Sequence, residues 1–342
     1  TATFTGTSSL ADSPVVISGT INGIAISDTA SITFTAGADS SLSIAQQPTA
    51  GSAFSGQALD TQPLVEVLDE FGNRTTSTAN VTAAISSGTG TLSGTTTVAA
   101  VDGVATFSDL VITGAASETY VLDFTATSIT AVASAGFSLA KAPQSITFSY
   151  TGGAKTFGDA PFTVSSTADS GLDVTFSSTT PAVCSATSDG TVTILTAGTC
   201  TIAANQPGND DFAQASQVTQ NISINKAAQT VSFDLSGLGA KTFGDEVFSV
   251  ASFATATSGL AATFTSSTTS VCTVTPSGDV TLLSQGTCTL VADQAGDDRY
   301  LAASSTVTQG FSVARGATTI TWAPITSLTM PESGLTFSAA NS

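Results

Sequence analysis

Histidine is absent from the sequence, and with it the side chain that most often moves protons near neutral pH. Charge is scarce: only 9% of residues are Asp, Glu, Lys or Arg, and 7 bases stand against 25 acids. The resulting net charge of −18 repels phosphate backbones, which excludes nucleic acid as a partner. No run of about 18 apolar residues occurs, so no segment is expected to span a membrane as a helix. There is no CxxC and no phosphate-binding glycine loop, and no stretch rich in Ala, Leu, Glu and Lys with a helical period. The chain opens at Thr1 with no basic leader or apolar signal core, and reads as a processed product or a window on a longer protein.

What is present is Thr, Ser, Val and Ala, with 30 glycines and 41% apolar residues. That composition suits sheets with hydroxyl-bearing faces and suffices for several small cores. Two stretches repeat. Ala154-Lys155-Thr156-Phe157-Gly158-Asp159 returns as Ala240-Lys241-Thr242-Phe243-Gly244-Asp245. Gly171-Leu172, Val183-Cys184, Gly198-Thr199-Cys200 and Gln206-Pro207-Gly208 return in order as Gly259-Leu260, Val271-Cys272, Gly286-Thr287-Cys288 and Gln294-Ala295-Gly296. The offset is 86 at the lysines and 88 from Gly171 onward, so one loop differs by two residues. A period this long is one small domain per repeat.

Each copy carries one cysteine pair, Cys184 with Cys200 and Cys272 with Cys288, at the same separation of 16. One pair per β-repeat points to an oxidising compartment and one disulfide per domain, while a metal reading lacks both histidine and CxxC. Closing a loop of this size is worth roughly 3 kcal/mol in the chain-entropy account.

Three stretches end on the same alternating pattern: Gly136 to Lys141, Asn221 to Lys226 and Gly310 to Arg315. Each reads as a half-buried strand. New strands follow at Gln144 to Phe148, Gln229 to Phe233 and Thr318 to Trp322. Linkers this short cannot behave as flexible coils, so adjacent domains are expected to be held end to end as a stiff rod. In the second Cys repeat, strands are expected from Ser270 to Thr275, Asp279 to Leu283 and Gly286 to Ala292. Residues 40–140 form a different module, with strand signals at 42–44, 64–68, 81–85, 104–107 and 120–124 between turns, the spacing of a β-sandwich. Near the start, Asn22-Gly23 between alternating segments is a hairpin signal.

The Cys repeats, with KTFGD, SGL, VC, GTC and the closing alternating strand, resemble the tandem immunoglobulin-like repeats of large bacterial surface and secreted proteins. Gln46-Gln47-Pro48, Val65 to Asn73 and Gly103-Val104-Ala105-Thr106-Phe107 resemble bacterial immunoglobulin-like modules of the invasin and intimin type, as does Val15 to Ala36. The resemblance implies an extracellular, rod-forming protein of the bacterial cell surface, an adhesin or a filament, with no catalytic residues to carry over. The cysteines lie closer together than those of an inter-sheet antibody bridge, so the disulfide is expected to staple neighbouring strands.

Several constellations carry weaker chemistry. Ser138-Leu139-Ala140-Lys141 and Ser223-Ile224-Asn225-Lys226 match S-x-x-K, but that motif needs a helix and partner motifs. Asp210-Asp211 and Asp297-Asp298 in equivalent loops, with Asp69, Glu70 and Asn73 in another, are a candidate set of hard oxygens for Ca²⁺, although acidic loops are more often only solvated. Phe212, Phe253, Tyr300 and Trp322 would serve a sugar-stacking site only if they clustered.

The expectation is therefore an all-β chain of tandem immunoglobulin-like β-sandwich domains in a rod-like array. The C-terminal part of one domain is expected at 1–39, an invasin-type domain at 40–140, Cys-pair repeats at 141–226 and 227–315, and the N-terminal part of a further repeat at 316–342. It is read as a non-enzymatic structural segment of an extracellular adhesin or surface fibre, with no cofactor beyond Ca²⁺ in those loops. Its partners are neighbouring immunoglobulin-like domains, of the same chain or of other copies, and a host or surface ligand. Two alternatives stay open: a filament subunit polymerising by strand complementation, and a glycan-binding module.

Overall fold

The computed structural model describes residues 35–317 and 319, with short strand segments at 15–17, 20–21, 24–25 and 30–32. Thr20–Ile21 pairs antiparallel with Ile24–Ala25, and Val15–Ile17 with Ala30–Ile32. The expected turn Asn22-Gly23 between the first two, and Trp322 with nearly all of 318–342, lie outside the described residues. Among the described residues there is no α-helix, and one 3-10 turn spans Ala251–Phe253. The chain divides into two compact units: Thr1–Gly153 with Pro161–Thr193 and Cys200–Ile222, and Ala154–Ala160 with Ile194–Thr199 and Ser223–Ser342.

In the first unit, alternation dictates the main sheet. Val65 and Val67 of Leu64–Leu68 are fully buried on one face, while Glu66 points away from it. The strands lie in the order Val104–Thr106, Leu64–Leu68, Ser41–Gln46, Ile129–Ala133, Val121–Ala126, Asn80–Ser87 and Thr97–Ala99. All neighbours are antiparallel except Ser41–Gln46 and Ile129–Ala133, which run parallel through Ser41 and Thr130. Ser41–Gln46 therefore joins two half-sheets. One groups Ser41–Gln46 with Leu64–Leu68 and Val104–Thr106, and the other groups Ile129–Ala133 and Val121–Ala126 with Asn80–Ser87 and Thr97–Ala99. This is the immunoglobulin-like partition.

A corner made by Tyr120 marks the same fold. Tyr120 immediately precedes Val121–Ala126, is fully buried, and donates its hydroxyl to the carbonyl of Ala115 at 3.0 Å. A hydroxyl returning to the backbone a few residues upstream is the tyrosine corner of immunoglobulin-like sandwiches. Gly88 and Gly114 make room for the ring: a Cβ at Gly88 would lie 2.5 Å from it, and one at Gly114 2.2 Å from the hydroxyl. Phe107 and Phe124 pack at 5.5 Å beside it, with Leu110, Ile112 and Leu122 fully buried around them. Each such side chain contributes about 1.5–3 kcal/mol of burial before entropy is subtracted. Residues 136–141, expected as a strand, form only an isolated bridge from Phe137 to Tyr120; Ile129–Ala133 closes the sandwich instead. The rest of this unit pairs Ile146–Phe148 with Ser166–Ala168, and Phe176 with Ala204, with the Phe148 and Phe176 rings 5.5 Å apart.

The second unit repeats that register in full. Val231–Phe233 pairs with Ala254–Ala256, and Phe233 meets Phe264 at 5.5 Å. A four-stranded sheet runs Lys241–Thr242, Val307–Ala314, Gly286–Asp293, Thr263–Ser266, and a three-stranded sheet runs Phe248–Ser249, Asp279–Leu282, Cys272–Val274. Val250, Val280, Leu290 and Ala292 are fully buried between them.

Candidate functional site

The three strands expected in the second Cys repeat form at Cys272–Val274, Asp279–Leu282 and Gly286–Asp293, but they do not share a sheet. The first two pair with each other, and the third crosses to the opposite ladder. Cys272 and Cys288, both fully buried and joined with their Cα atoms 5.6 Å apart, therefore tie sheet to sheet. This corrects the expectation of a staple between neighbouring strands. Cys184 and Cys200 are joined at the same Cα separation of 5.6 Å.

The acidic loops are built by glutamines. In the second unit, buried Gln294 donates its amide to the Ala261 carbonyl at 2.5 Å and accepts from the Gly296 N–H at 2.6 Å. Buried Gln229 donates to the Leu301 carbonyl at 2.7 Å and accepts from the Ser258 hydroxyl. In the first unit, Gln206 donates to the Asp173 carbonyl and accepts from Gly208, while Gln144 donates to the Ala213 carbonyl. Both ends of each loop are pinned by glutamine amides, buried at Gln206, Gln229 and Gln294 and half-buried at Gln144, which leaves few polar groups unsatisfied.

Within the loops, Asn209 N–H donates to the Phe212 carbonyl and Asp297 N–H to the Tyr300 carbonyl, each at 3.1 Å. Asn209 therefore matches Asp297, Asp210 matches Asp298, and Asp211 matches Arg299. The loops are equivalent, but their acid pairs are offset by one residue. Each loop clamps the linker of its own repeat. Ala142 N–H donates to the Asp211 carbonyl at 2.7 Å, Ala213 N–H returns to Ala142 at 2.8 Å, and Lys141 Nζ reaches the Asn209 carbonyl at 2.5 Å. In the second unit, Ala227 N–H donates to the Arg299 carbonyl at 2.9 Å, Leu301 N–H returns at 2.8 Å, and Lys226 Nζ reaches the Asp297 carbonyl at 2.5 Å.

Each loop also meets the preceding module. In the first unit the Asp211 carboxylate accepts from Ala116 N–H at 3.1 Å, beside the Tyr120 corner. Burial, and next the Glu118 and Asp211 charges, raise the Tyr120 pKa. In the second unit, Tyr300 packs edge-on against Phe157 at 5.4 Å, and the Arg299 guanidinium lies 5.3 Å from that ring. Ala197 N–H donates to the Asp298 carbonyl at 3.3 Å.

Among the oxygens read as calcium candidates, Glu70, Asp210, Asp211, Asp297 and Asp298 are exposed. Asp69 is buried, and its carboxylate accepts from the N–H groups of Gly37, Phe71 and Asn73 at 2.9 Å and from the Asn73 side-chain amide. The Gly37 N–H above all, opposed by desolvation and helped by Asn73 and Phe71, holds its pKa down to about 2. The Asp297 pKa is lowered chiefly by the Arg299 N–H, then by Tyr300 N–H and the Arg299 and Lys226 charges, against desolvation. No group of three His, Cys, Asp or Glu side chains suited to a metal gathers among the described residues. Of the aromatic residues weighed for sugar stacking, Phe212 and Tyr300 occupy the matching loops, Phe253 lies in the 3-10 turn, and Tyr300 spends its ring on Phe157.

No protein-family model matches the sequence, and no curated protein matches it. Solved structures that align with the chain include domains 1–6 of the surface layer protein SbsC, at 16% identity and a TM-score of 0.23, over 89% of this chain and 45% of that one. The immunoglobulin domains 1–5 of Sidekick-1 align at 10% identity and a TM-score of 0.33, over 90% and 67%. Invasin, described as a bacterial integrin-binding protein, aligns at 16% identity and a TM-score of 0.26, over 88% and 65%. The chain thus spans less than two thirds of the SbsC and invasin chains. Similarity at these scores is of a general kind.

Proposed function

We propose that the chain is a non-catalytic structural segment of an extracellular array of immunoglobulin-like sandwiches, belonging to a bacterial surface adhesin or fibre. Its modules are 40–140, 141–226 and 227–315, flanked by part-domains at 1–39 and 316–342. Its task is to transmit load and hold reach between an anchor and a ligand, with neighbouring modules as its principal partners. The observation that supports this reading is the clamped linker: Lys141-Ala142 and Lys226-Ala227 are each bonded to a loop pinned by a buried glutamine, Gln206 and Gln294 respectively. A linker tied in this way passes tension into a folded module instead of uncoiling. One disulfide in each Cys repeat supports export to an oxidising compartment.

Single-molecule force spectroscopy on the chain tests the reading. Three separate unfolding events are expected. On reduction, two of them should lengthen by about 55 Å each, from 16 released residues at the extended-chain rise per residue. One cooperative event for the whole chain, or increments that reduction leaves unchanged, would overturn it.

A further inference from the structure

Phe157 and Phe243 occupy the same position of the repeated Lys-Thr-Phe-Gly-Asp turn, and the two turns have the same shape. Phe157 N–H donates to the Asn225 carbonyl and Phe243 N–H to the Ala314 carbonyl, each at 2.9 Å. Asp159 and Asp245 each accept from the threonine N–H three residues back at 2.9 Å. Gly158 and Gly244 take φ of 96° and 100°. The surroundings differ. Phe157 is half-buried under Tyr300 and Arg299 of the following repeat, whereas Phe243 stands 49% exposed. On the neighbouring turn, after Thr191–Ile194, Ala197 gives its N–H to Asp298 while Leu195 stays 37% exposed, and Leu283, the counterpart of Leu195 on the turn after Asp279–Leu282, is 46% exposed.

We infer that Phe243 and the turn at Leu283 form an open docking face for one more repeat of this same type, entering with a Gly-(Asn/Asp)-Asp-x-(Phe/Tyr) loop like 208–212 or 296–300. The argument is continuity with an occupied copy of the same joint. The face is preformed by the backbone bonds at Ala314 and Asp245, so docking orders few groups, and an exposed phenylalanine gains an aromatic partner in edge-to-face geometry. The linker has its counterpart too: Arg315 follows the last strand where Lys226 follows the earlier one, and supplies the cation for the loop carbonyl of the incoming repeat. This inference rests on the array reading and names the partner that the array adds next.

A tryptophan reporter tests it. In the 342-residue chain carrying Trp322→Phe, the Phe243→Trp indole should emit as an exposed group and be quenched freely by acrylamide, while Phe157→Trp should be protected. When Arg315 is followed directly by a second copy of residues 227–315, the indole at 243 should shift blue and its quenching should fall to that of the indole at 157. An indole at 243 quenched equally in both chains, with the added copy showing its own unfolding transition, would overturn the inference. If the added copy does not fold, the joint is read in the 342-residue chain itself. There Tyr300→Ala should deprotect the indole at 157, and continued protection would equally sink the inference. Separate force steps with an unprotected indole would leave the array standing and remove the joint. A single cooperative step would remove the array.

Discussion

The sandwich of residues 40–140 buries Tyr120, Phe107, Phe124, Leu110, Ile112 and Leu122 almost completely, and contains no cysteine. In the second Cys repeat, only Leu290 and Phe264 among the large side chains are enclosed to that degree, and Cys272 and Cys288 are fully buried in the core. Both interiors are immunoglobulin-like in layout, yet one is held by apolar volume and the other by a covalent tie between its two sheets. Short two- to four-residue strands, such as Lys241–Thr242 and Phe248–Ser249, bring little apolar area to a core. A cross-link that restricts the unfolded chain compensates for that. The difference shows that one β-sandwich layout can be stabilised from the folded side or from the unfolded side.

The sharpest break in that comparison is reduction. Opening the disulfides should destabilise each Cys repeat by about 3 kcal/mol and leave the 40–140 transition where it was. Differential scanning calorimetry with and without reductant separates the two classes. If all transitions are unmoved, the tie between the sheets contributes nothing. If the 40–140 transition moves with the others, the modules do not melt independently and the contrast dissolves.

Much of this contrast is legible in the sequence, and the parts that are not share a cause. The paired cysteines, the alternation in Leu64–Leu68 and the repeated turns are local patterns, and local patterns survive in one dimension. The Tyr120 corner is not local. Its pocket depends on Gly88, about thirty residues upstream, whose missing Cβ matters only because a ring arrives there. Likewise, the turn at 283–286 looks the same whether the chain doubles back within one sheet or crosses to the other. The spacing therefore predicts a disulfide between neighbours, whereas the bond joins the two ladders. Asp69 in Asp-Glu-Phe-Gly-Asn reads as an exposed acid, because its first donor, Gly37, lies 32 positions away.

A smaller effect sharpens the same comparison through pH. The Asp69 carboxyl is held near 2 when folded, against an ordinary value of 3.8. A group whose folded pKa is depressed contributes stability that is fully present above the ordinary value and lost as pH falls through the folded one. The 40–140 transition should therefore lose stability between about pH 4 and pH 2, over and above the loss from exposed carboxylates. Asp69→Asn should flatten that part of the curve, at the cost of some stability at pH 7 where the charged acceptor is lost. An acid limb identical in the variant and the original would show that the N–H cage around Asp69 does not discriminate its charged form.

Calcium should give the smallest effect, and the reason again lies in what each carboxylate already holds. Both Asp69 oxygens accept N–H donors, Oδ1 from Phe71 and Asn73 and Oδ2 from Gly37 and the Asn73 amide. An N–H cannot ligate a cation, so Ca²⁺ would have to displace donors that are part of the loop's own backbone. Asp297 Oδ1 is engaged likewise by Arg299 and Tyr300, and the Lys226 ammonium lies on the Asp297 carbonyl. Millimolar Ca²⁺ should then move the transitions of the sandwich and of the Cys repeats no further than Mg²⁺ at the same ionic strength, since both screen a net charge of −18 alike. A rise specific to Ca²⁺ in calorimetry would mean selective binding to the folded form. Were it confined to the 40–140 transition, the cage at Asp69 would have to open for the ion, and that sandwich would owe part of its stability to a ligand rather than to apolar volume alone.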